Sequence, residues 1–260
     1  MKKRLDLLLV ERGLTDSRTR AQALVLEGKV RVCGQVETKA SRQVEEDAEV
    51  EVEKPPRFVS RGGEKLEGAF ALWGDLGLLA PPDRLDVREK ACVDVGSSTG
   101  GFTDCLLQHG APFVMAVDVG TNQLAYRLRA DPRVWVKENY NARYMKPDDL
   151  PRVPEVAVTD VSFISLKLIL PPIVDVLAPG GKIVALIKPQ FEVGKGNAPG
   201  GLVRDERLRL EARDEIVRFA REDLHLELLG LAESPIRGRE MGNVEYLSYW
   251  RKPESRACRT

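Results

Sequence analysis

The stretch CVDVGSSTGGF, from Cys92 to Phe102, decides the fold of this chain. Its short apolar run predicts a buried strand, and the glycines that follow predict a tight turn into a helix. Glycines at such a turn let a ligand approach the backbone closely. A dinucleotide-binding fingerprint would need glycine in place of Ser98 and no acid inside the strand, where this chain has Asp94. The turn therefore predicts a ligand-binding α/β domain of another kind.

Apolar runs rich in β-branched residues alternate with helical patterns after this turn. Such alternation predicts βαβ units around a parallel sheet. The five predicted strands cover residues 92–95, 113–117, 134–136, 156–158 and 183–187. Two further strands, near 225–229 and 245–250, would complete a seven-stranded, mostly parallel sheet with an antiparallel end.

The composition argues against several classes of protein. Of 260 residues, 40 are Lys or Arg and 40 are Asp or Glu, so any affinity for nucleic acid must come from local patches. The four cysteines form no CxxC pair, which predicts no metal site and no disulfide framework and fits a reducing cytoplasm. No stretch approaches the roughly 18 apolar residues that span a bilayer. We therefore expect a soluble cytoplasmic protein without a membrane partner.

A small α+β module precedes the α/β domain. Two short amphipathic helices are predicted, the second capped by Asp16 or Ser17, and they are followed by short strands with a turn at Gly34-Gln35. Pro55-Pro56 interrupts regular structure and indicates a linker. We place the boundary near residue 58, which divides the chain into domains 1–58 and 59–260.

Basic residues gather in this module, where they could form one face that follows a phosphate backbone or simply an ordinary solvated surface. The order of its segments, RLDLLLVERGL and then DSRTRAQALVLEGKVRVCGQV, resembles the S4 RNA-binding domain over residues 3–53. Cys33 stands where that domain usually has asparagine. The resemblance implies RNA binding, and the candidate residues are Lys2, Lys3, Arg4, Arg18, Arg20 and Lys29.

The pattern DVGxxxGGF followed by AVD resembles the first motif of class I, Rossmann-like methyltransferases and its partner motif. That resemblance implies S-adenosyl-L-methionine as the cofactor, with Asp118 on its ribose hydroxyls and Asn141 near its adenine. The implied cofactor-binding residues are Asp94, Gly96, Ser97, Ser98, Thr99, Gly100, Gly101, Phe102, Thr103, Asp118 and Asn141.

Four charged residues, Lys65, Asp160, Lys188 and Glu245, lie at or beside the ends of predicted elements. Asp160 and Lys188 each follow an apolar strand, which places both at the edge where open α/β sheets bind ligands. The four resemble the Lys-Asp-Lys-Glu catalytic tetrad of FtsJ-like ribose 2′-O-methyltransferases. Together with the S4-like module, and with the motifs TDVSFISL, KPQFEVGKG and GGLVRDE, they make residues 3 to about 252 resemble the TlyA family.

This resemblance implies methylation of cytidine 2′-hydroxyls in ribosomal RNA of the small subunit, the large subunit or both. Ribosomal RNA or ribosomal subunits would be the partners, and Lys188 is the candidate base that helps the hydroxyl attack. Three alternatives stay open at this point. They are a hydrolase, because GSSTG also fits G-x-S-x-G and His225 follows later, a membrane-acting protein, because the family is also labelled haemolysin, and an RNA-binding protein that has lost activity.

Overall fold

The computed structural model describes residues 1–53, 56–194, 196–238 and 242–254. The chain divides into two compact units, Met1–Pro56 and Arg57–Thr260, each with a hydrophobic core of its own. Pro55, one of the two prolines from which the linker was predicted, lies outside the described residues. None of the helices in the described ranges combines the length and the apolar character needed to cross a bilayer.

The first unit packs two helices against short strands. Its core contains Leu5 and Leu9 of the first helix and Leu24 and Val25 of the second, and Ser17 caps the second helix by accepting the Arg20 N–H at 3.2 Å. The elements are β1 (Lys2–Arg4), α1 (Leu5–Glu11), α2 (Arg18–Leu26), β2 (Val30–Val32), β3 (Gln35–Glu37), β4 (Gln43–Glu45) and β5 (Val50–Val52).

The tight turn between β2 and β3 lies one residue earlier than predicted, at Cys33 and Gly34 instead of Gly34-Gln35. Both central residues have positive φ, 50° at Cys33 and 76° at Gly34. A two-residue hairpin of this type requires that conformation at both positions. Cysteine adopts it less readily than the asparagine usual in S4 domains, and glycine supplies the second position.

The second unit is an α/β domain whose helices flank one sheet. Its core lies on both faces of that sheet, in two clusters of buried apolar side chains. The elements are α3 (Gly62–Trp73), β6 (Ala91–Val95), α4 (Gly101–Gln108), β7 (Phe113–Val117), α5 (Tyr126–Arg129), β8 (Val134–Lys137), β9 (Val156–Thr159), α6 (Leu170–Val176), β10 (Lys182–Ile187), α7 (Pro189–Glu192), α8 (Glu206–Glu222), β11 (Glu227–Glu233) and β12 (Tyr246–Arg251).

The sheet confirms the predicted fold class. Its seven strands run in the order β11-β12-β10-β9-β6-β7-β8. The strands from β10 to β8 in this order are parallel, and β12 is antiparallel to both of its neighbours. The carboxyl ends of β6, β9 and β10 therefore meet the start of β12 at one edge. His225, predicted within the penultimate strand, instead precedes β11 with φ of 55°.

The glycine turn after β6 is required by packing inside the protein. Gly100 caps α4 with φ of 96°, and a Cβ there would lie 2.3 Å from Leu128 Cδ1 and 2.7 Å from Leu124 Cδ1. A Cβ on Gly101 would lie 2.4 Å from Oγ of Ser60, which shortly precedes α3. At Gly100 and Gly101 the absence of a side chain is therefore required by the close approach of neighbouring protein segments, whether or not a ligand also binds at the turn.

We expect Gly100→Ala to lower the free energy of unfolding by about 2–5 kcal/mol, because a left-handed alanine is strained and its methyl group overpacks the two leucines. Urea denaturation followed by tryptophan fluorescence measures this, since Trp73, Trp135 and Trp250 all belong to the second unit.

The matched control is Gly200→Ala. Gly200 also has positive φ, 63°, but no atom of the described residues lies within 4 Å of a Cβ at that position. Gly200→Ala should therefore lower the free energy of unfolding only by the backbone strain, about 1–2 kcal/mol. Equal losses in the two variants would contradict the packing argument.

Candidate active site

Four charged residues from distant parts of the sequence meet at the carboxyl edge of the sheet. Lys65 lies in the first half of α3, Asp160 follows β9, and Lys188 follows β10. Glu245 immediately precedes β12, and because β12 is antiparallel its start reaches the same edge. We call these four residues the charged tetrad.

The tetrad alternates positive and negative groups. Lys65 Nζ lies 2.7 Å from Glu245 Oε2 and 3.4 Å from Asp160 Oδ2. Lys188 Nζ lies 2.6 Å from Asp160 Oδ1. All four side chains are largely buried, with exposed fractions between 3% for Glu245 and 17% for Asp160. Each buried charge has a partner of opposite sign, without which burial would cost several kcal/mol per ion.

The structure adds polar partners that charge patterns could not predict. Ser162 Oγ accepts a hydrogen bond from Lys188 Nζ at 2.8 Å, and Gln190 Nε2 donates to Glu245 Oε1 at 3.4 Å. Both residues are uncharged and lie close in sequence to Asp160 and Lys188, the charged residues of their motifs. Only the placement of side chains in three dimensions identifies them.

Two cavities meet at the tetrad. The first, of about 530 Å³, is lined by Lys65, Asp160 and Lys188 and is called the tetrad cavity. The second, of about 520 Å³, contains Asp118 and Asn141 and is called the Asp118 cavity. Both have volumes typical of small-molecule sites. The residues that line both cavities are Gly96, Ser98, Asp160 and Ser162. The arrangement suits two ligands that face each other across a shared wall.

Asp118 organises its cavity through the backbone. Its Oδ2 accepts the Ser98 N–H at 2.7 Å and its Oδ1 accepts the Gly120 N–H at 2.6 Å. A carboxylate oxygen has a second lone pair, so each oxygen can still accept a ligand hydroxyl. Asn141 Oδ1 accepts the Arg143 N–H at 3.1 Å, which leaves its amide NH₂ group as a donor.

Two further residues of this cavity escaped sequence reasoning. Tyr140 donates its hydroxyl to Asp149 Oδ2 at 2.6 Å, and burial raises the pKa of Tyr140 to about 12. Phe163 is 84% exposed and has φ of 63°, a backbone conformation that a bulky residue rarely adopts. Nothing in the composition or spacing of the sequence distinguishes either residue.

The predicted cofactor-binding residues of the glycine turn separate into different roles. Asp94 and Thr103 are fully buried and line neither cavity. Asp94 Oδ2 accepts the Thr103 hydroxyl at 2.6 Å, which ties β6 to α4 behind the turn. Gly100 faces the leucines described above and lines neither cavity. Among the predicted cofactor-binding residues, those that line the tetrad cavity and not the Asp118 cavity are Ser97, Thr99, Gly101 and Phe102.

Burial has an electrostatic consequence at Asp94. Its Oδ1 has no hydrogen-bond partner within the described ranges, and burial raises the pKa of Asp94 to about 7, although the Thr103 hydrogen bond acts in the opposite direction. The carboxyl group therefore holds a proton over much of the acidic range. Contact with a cofactor, which the resemblance implied for Asp94, is not what its position supports.

The predicted basic face of the first unit is mostly neutralised. Arg4 and Arg18 both pair with the buried Asp6, at 2.9 Å and 3.0 Å. Lys2, Lys3 and Lys29 also pair with nearby glutamates. Residues 1–56 contain 11 basic and 11 acidic residues. Of the six candidates only Arg20 has no ion pair within the described ranges, so an anionic ligand would compete with the unit's own acids.

The structure does not place His225, the candidate base of the hydrolase alternative, beside the glycine turn. His225 lines a separate cavity together with Arg221 and Leu228, and that cavity contains no residue of the glycine turn. Ser98 therefore has no histidine partner in its own cavities. The Ser-His arrangement that a nucleophile elbow needs is not formed by the described residues.

One cluster runs against the expectation of no metal site. Donor atoms of Glu67, Cys105 and His109 lie within 4.8 Å of one another. However, Glu67 Oε1 pairs with Arg57 at 2.7 Å, and Glu67 Oε2 lies 2.7 Å from His109 Nε2. Burial also raises the pKa of the Cys105 thiol. A guanidinium at the carboxylate and a protonated thiol both oppose a bound cation.

Comparison with known proteins gives matches to both units. Residues 58–252 match the family model of the FtsJ-like methyltransferase, and residues 3–50 match the S4 domain. The chain is 41% identical over 257 residues to a 16S/23S rRNA (cytidine-2'-O)-methyltransferase TlyA of Mycobacterium tuberculosis. The match covers 98% of this chain and 91% of the relative. It is also 41% identical to Hemolysin A of Brachyspira hyodysenteriae, over 95% of this chain and 99% of that one.

Solved structures agree with this pattern. A structure described as a hemolysin from Streptococcus thermophilus has a TM-score of 0.71 at 41% identity, over 98% of this chain and 90% of that one. An S-adenosylmethionine dependent methyltransferase from Listeria monocytogenes has a TM-score of 0.52 at 16% identity, over 75% of this chain and 100% of that one. The second likeness shows the fold alone.

We expect the stability of the second unit to fall as pH rises from about 4 to 7, because of Asp94. Its pKa is raised in the folded state, so the unfolded chain releases a proton that the folded chain retains, and rising pH favours unfolding. Asp94→Asn removes the contribution of this carboxyl to the pH dependence. Urea denaturation at each pH, followed by tryptophan fluorescence, compares the two proteins.

Asp148→Asn is the control, since Asp148 is exposed. It should keep the pH dependence of the unchanged protein. If the free energy of unfolding changes with pH in the same way for Asp94→Asn and the unchanged protein from pH 4 to 7, the claim that the buried carboxyl is protonated is refuted.

Proposed function

This chain belongs to the FtsJ-like methyltransferase family, and on that basis we propose that it transfers the methyl group of S-adenosyl-L-methionine to a cytidine ribose 2′-hydroxyl in ribosomal RNA. The observation that carries the proposal is the charged tetrad, which borders a cavity adjoining the Asp118 cavity. The TlyA relative supports the cytidine and the ribosomal RNA, because its name states both. A protein with this substrate would act in the cytoplasm.

The haemolysin name does not favour a second function. The relative with that name and the relative named for cytidine methylation are equally similar to this chain, at 41% identity each. The tetrad also argues against a binding protein that has lost activity, because all four residues are present and paired.

The residues of the Asp118 cavity fit the proposed cofactor. Asp118 can accept two ribose hydroxyls on its remaining lone pairs, and the Asn141 amide can donate to an adenine nitrogen. Gly96 and Ser98 line the wall shared with the tetrad cavity. The cofactor supplies an electrophilic methyl group on a sulfonium. We assign the nucleoside part to Asp118 and Asn141 and the methyl group to the shared wall.

Lys188 is the residue that acts on the acceptor hydroxyl in this proposal. An ammonium nitrogen has three N–H positions. That of Lys188 donates to Ser162 Oγ and forms an ion pair with Asp160 Oδ1 at 2.6 Å. Lys188 also lines the tetrad cavity, and we assign one remaining position of its nitrogen to the hydroxyl. When Lys188 is neutral, that position is a lone pair that takes the hydroxyl proton, and when it is charged, the same position stabilises the oxyanion. Lys65, between two carboxylates, orients Asp160.

RNA binding is assigned in part to the first unit, because it matches the S4 domain. Arg20, the candidate without an ion pair in the described ranges, is the strongest of the six predicted contacts. The other five exchange a carboxylate for a phosphate when they bind RNA. That exchange makes their contribution smaller than that of a free cation.

We expect Lys188→Ala to lower methyl transfer by about 10²-fold or more, because the hydroxyl loses its proton acceptor. Cofactor affinity should stay nearly unchanged, since Lys188 does not line the Asp118 cavity. Mapping of 2′-O-methyl groups in ribosomal RNA from a gene-deleted strain, complemented with either protein, measures the activity. Calorimetry measures cofactor binding.

The control variant is Lys167→Ala, whose lysine pairs with Glu215 at the surface and lines neither cavity. It should restore the methyl group as the unchanged protein does. Normal turnover by Lys188→Ala would remove the role of this lysine. A deletion strain that keeps every cytidine 2′-O-methyl group would refute the proposed function.

We expect Asp118→Ala to weaken cofactor binding by at least about tenfold, because a hydrogen bond to a charged group contributes about 1.5–3 kcal/mol. Calorimetry with S-adenosyl-L-methionine measures the dissociation constant. Asp131→Ala serves as the control, since that aspartate pairs with Arg133 and lines neither cavity. Unchanged affinity in Asp118→Ala would show that the cofactor ribose lies elsewhere.

A further inference from the structure

Two arginines line the tetrad cavity without an acidic partner among the described residues. Arg61 precedes α3 and Arg237 precedes the final strand, and both side chains are exposed. Arg61 Nη2 donates to the carbonyl oxygen of Arg237 at 3.2 Å, which brings the two residues together across the sequence. Neither forms an ion pair with a described residue, in contrast to Arg4, Arg18 and many other arginines of the chain.

The charge of the cavity follows from these pairings. The positive charges of Lys65 and Lys188 are compensated within the tetrad by Asp160 and Glu245. Asp160 is the only residue with a carboxylate among the described residues that line this cavity. The two guanidinium groups are therefore a surplus of positive charge in a chain whose formal net charge is zero. Such a surplus beside a reaction centre attracts an anion.

We propose that Arg61 and Arg237 bind the phosphodiester group that flanks the acceptor ribose. This inference rests on the proposed function, because a ribose 2′-hydroxyl is next to the carbon that bears the 3′ phosphodiester. A ribose whose hydroxyl contacts Lys188 therefore brings a phosphate into the same cavity. The planar guanidinium matches two phosphate oxygens at once, which a lysine does not. The two arginines position the acceptor and take no part in proton transfer.

The test is the double variant Arg61→Gln and Arg237→Gln, with ribosomal RNA as the probe. Filter retention at several salt concentrations gives the RNA dissociation constant, and labelled methyl transfer gives KM and kcat. We expect the dissociation constant and KM to rise by about tenfold or more. The slope of log affinity against log salt should weaken by about 1 to 2, as for the loss of one or two phosphate contacts. Both kcat and cofactor affinity should change by less than about threefold, because these contacts bind ground state and transition state equally.

The matched control is Arg221→Gln. Arg221 is exposed, has no ion pair among the described residues and lies near the end of α8, at the opposite edge of the sheet. Arg61→Lys is the second variant, because it keeps the charge and removes the planar fork. It should restore the salt slope but only part of the affinity.

A double variant that matches Arg221→Gln in KM and in salt slope would overturn the proposal. If the double variant does not fold, Arg61→Lys becomes the test. An RNA affinity of Arg61→Lys equal to that of the unchanged protein would also overturn the proposal. If the unchanged protein transfers no methyl group to ribosomal RNA, the proposed function fails. The salt slopes still decide then whether the arginines bind a phosphodiester, so the two failures are distinguishable.

Discussion

Charge compensation among four buried side chains is the constraint on which the rest of the site depends. Two lysines and two carboxylates alternate, and removing any one of them leaves the group with an uncompensated unit of charge among largely buried side chains. The alternation also limits how each group can act. Lys65 lies between two carboxylates and orients them, whereas Lys188 pairs with one carboxylate only among the described residues and borders the tetrad cavity.

The tetrad forms only because α3 lies close against the glycine turn. Gly101 has no room for a side chain, since Ser60 and the backbone at Gly63 occupy that space. The same turn positions Ser98, whose N–H is held by Asp118. A single packing contact thus places Lys65 beside Asp160 and shapes the wall that the two cavities share.

Electrostatics differ between the two units, although each has equal numbers of basic and acidic residues. In the first unit most candidate RNA contacts are paired with acids, and Asp6 alone holds two arginines. In the second unit the pairing is complete within the tetrad but absent at Arg61 and Arg237 within the described ranges. The position of unpaired cations therefore indicates an anionic ligand better than the number of basic residues does.

The strands and the mostly parallel character of their sheet followed from the sequence, because apolar runs of strand length, separated by helical patterns, have few other ways to bury their surfaces. Asp160 and Lys188 could also be placed, since each directly follows such a run. The roles of Asp94, Thr103 and Gly100 could not, because a motif does not show on which side of a turn a side chain lies. Ser162, Tyr140 and the unpaired arginines depend on contacts between residues far apart in the sequence. Only tertiary packing decides such contacts, since it alone sets which polar groups are buried together and which charges stay without a partner.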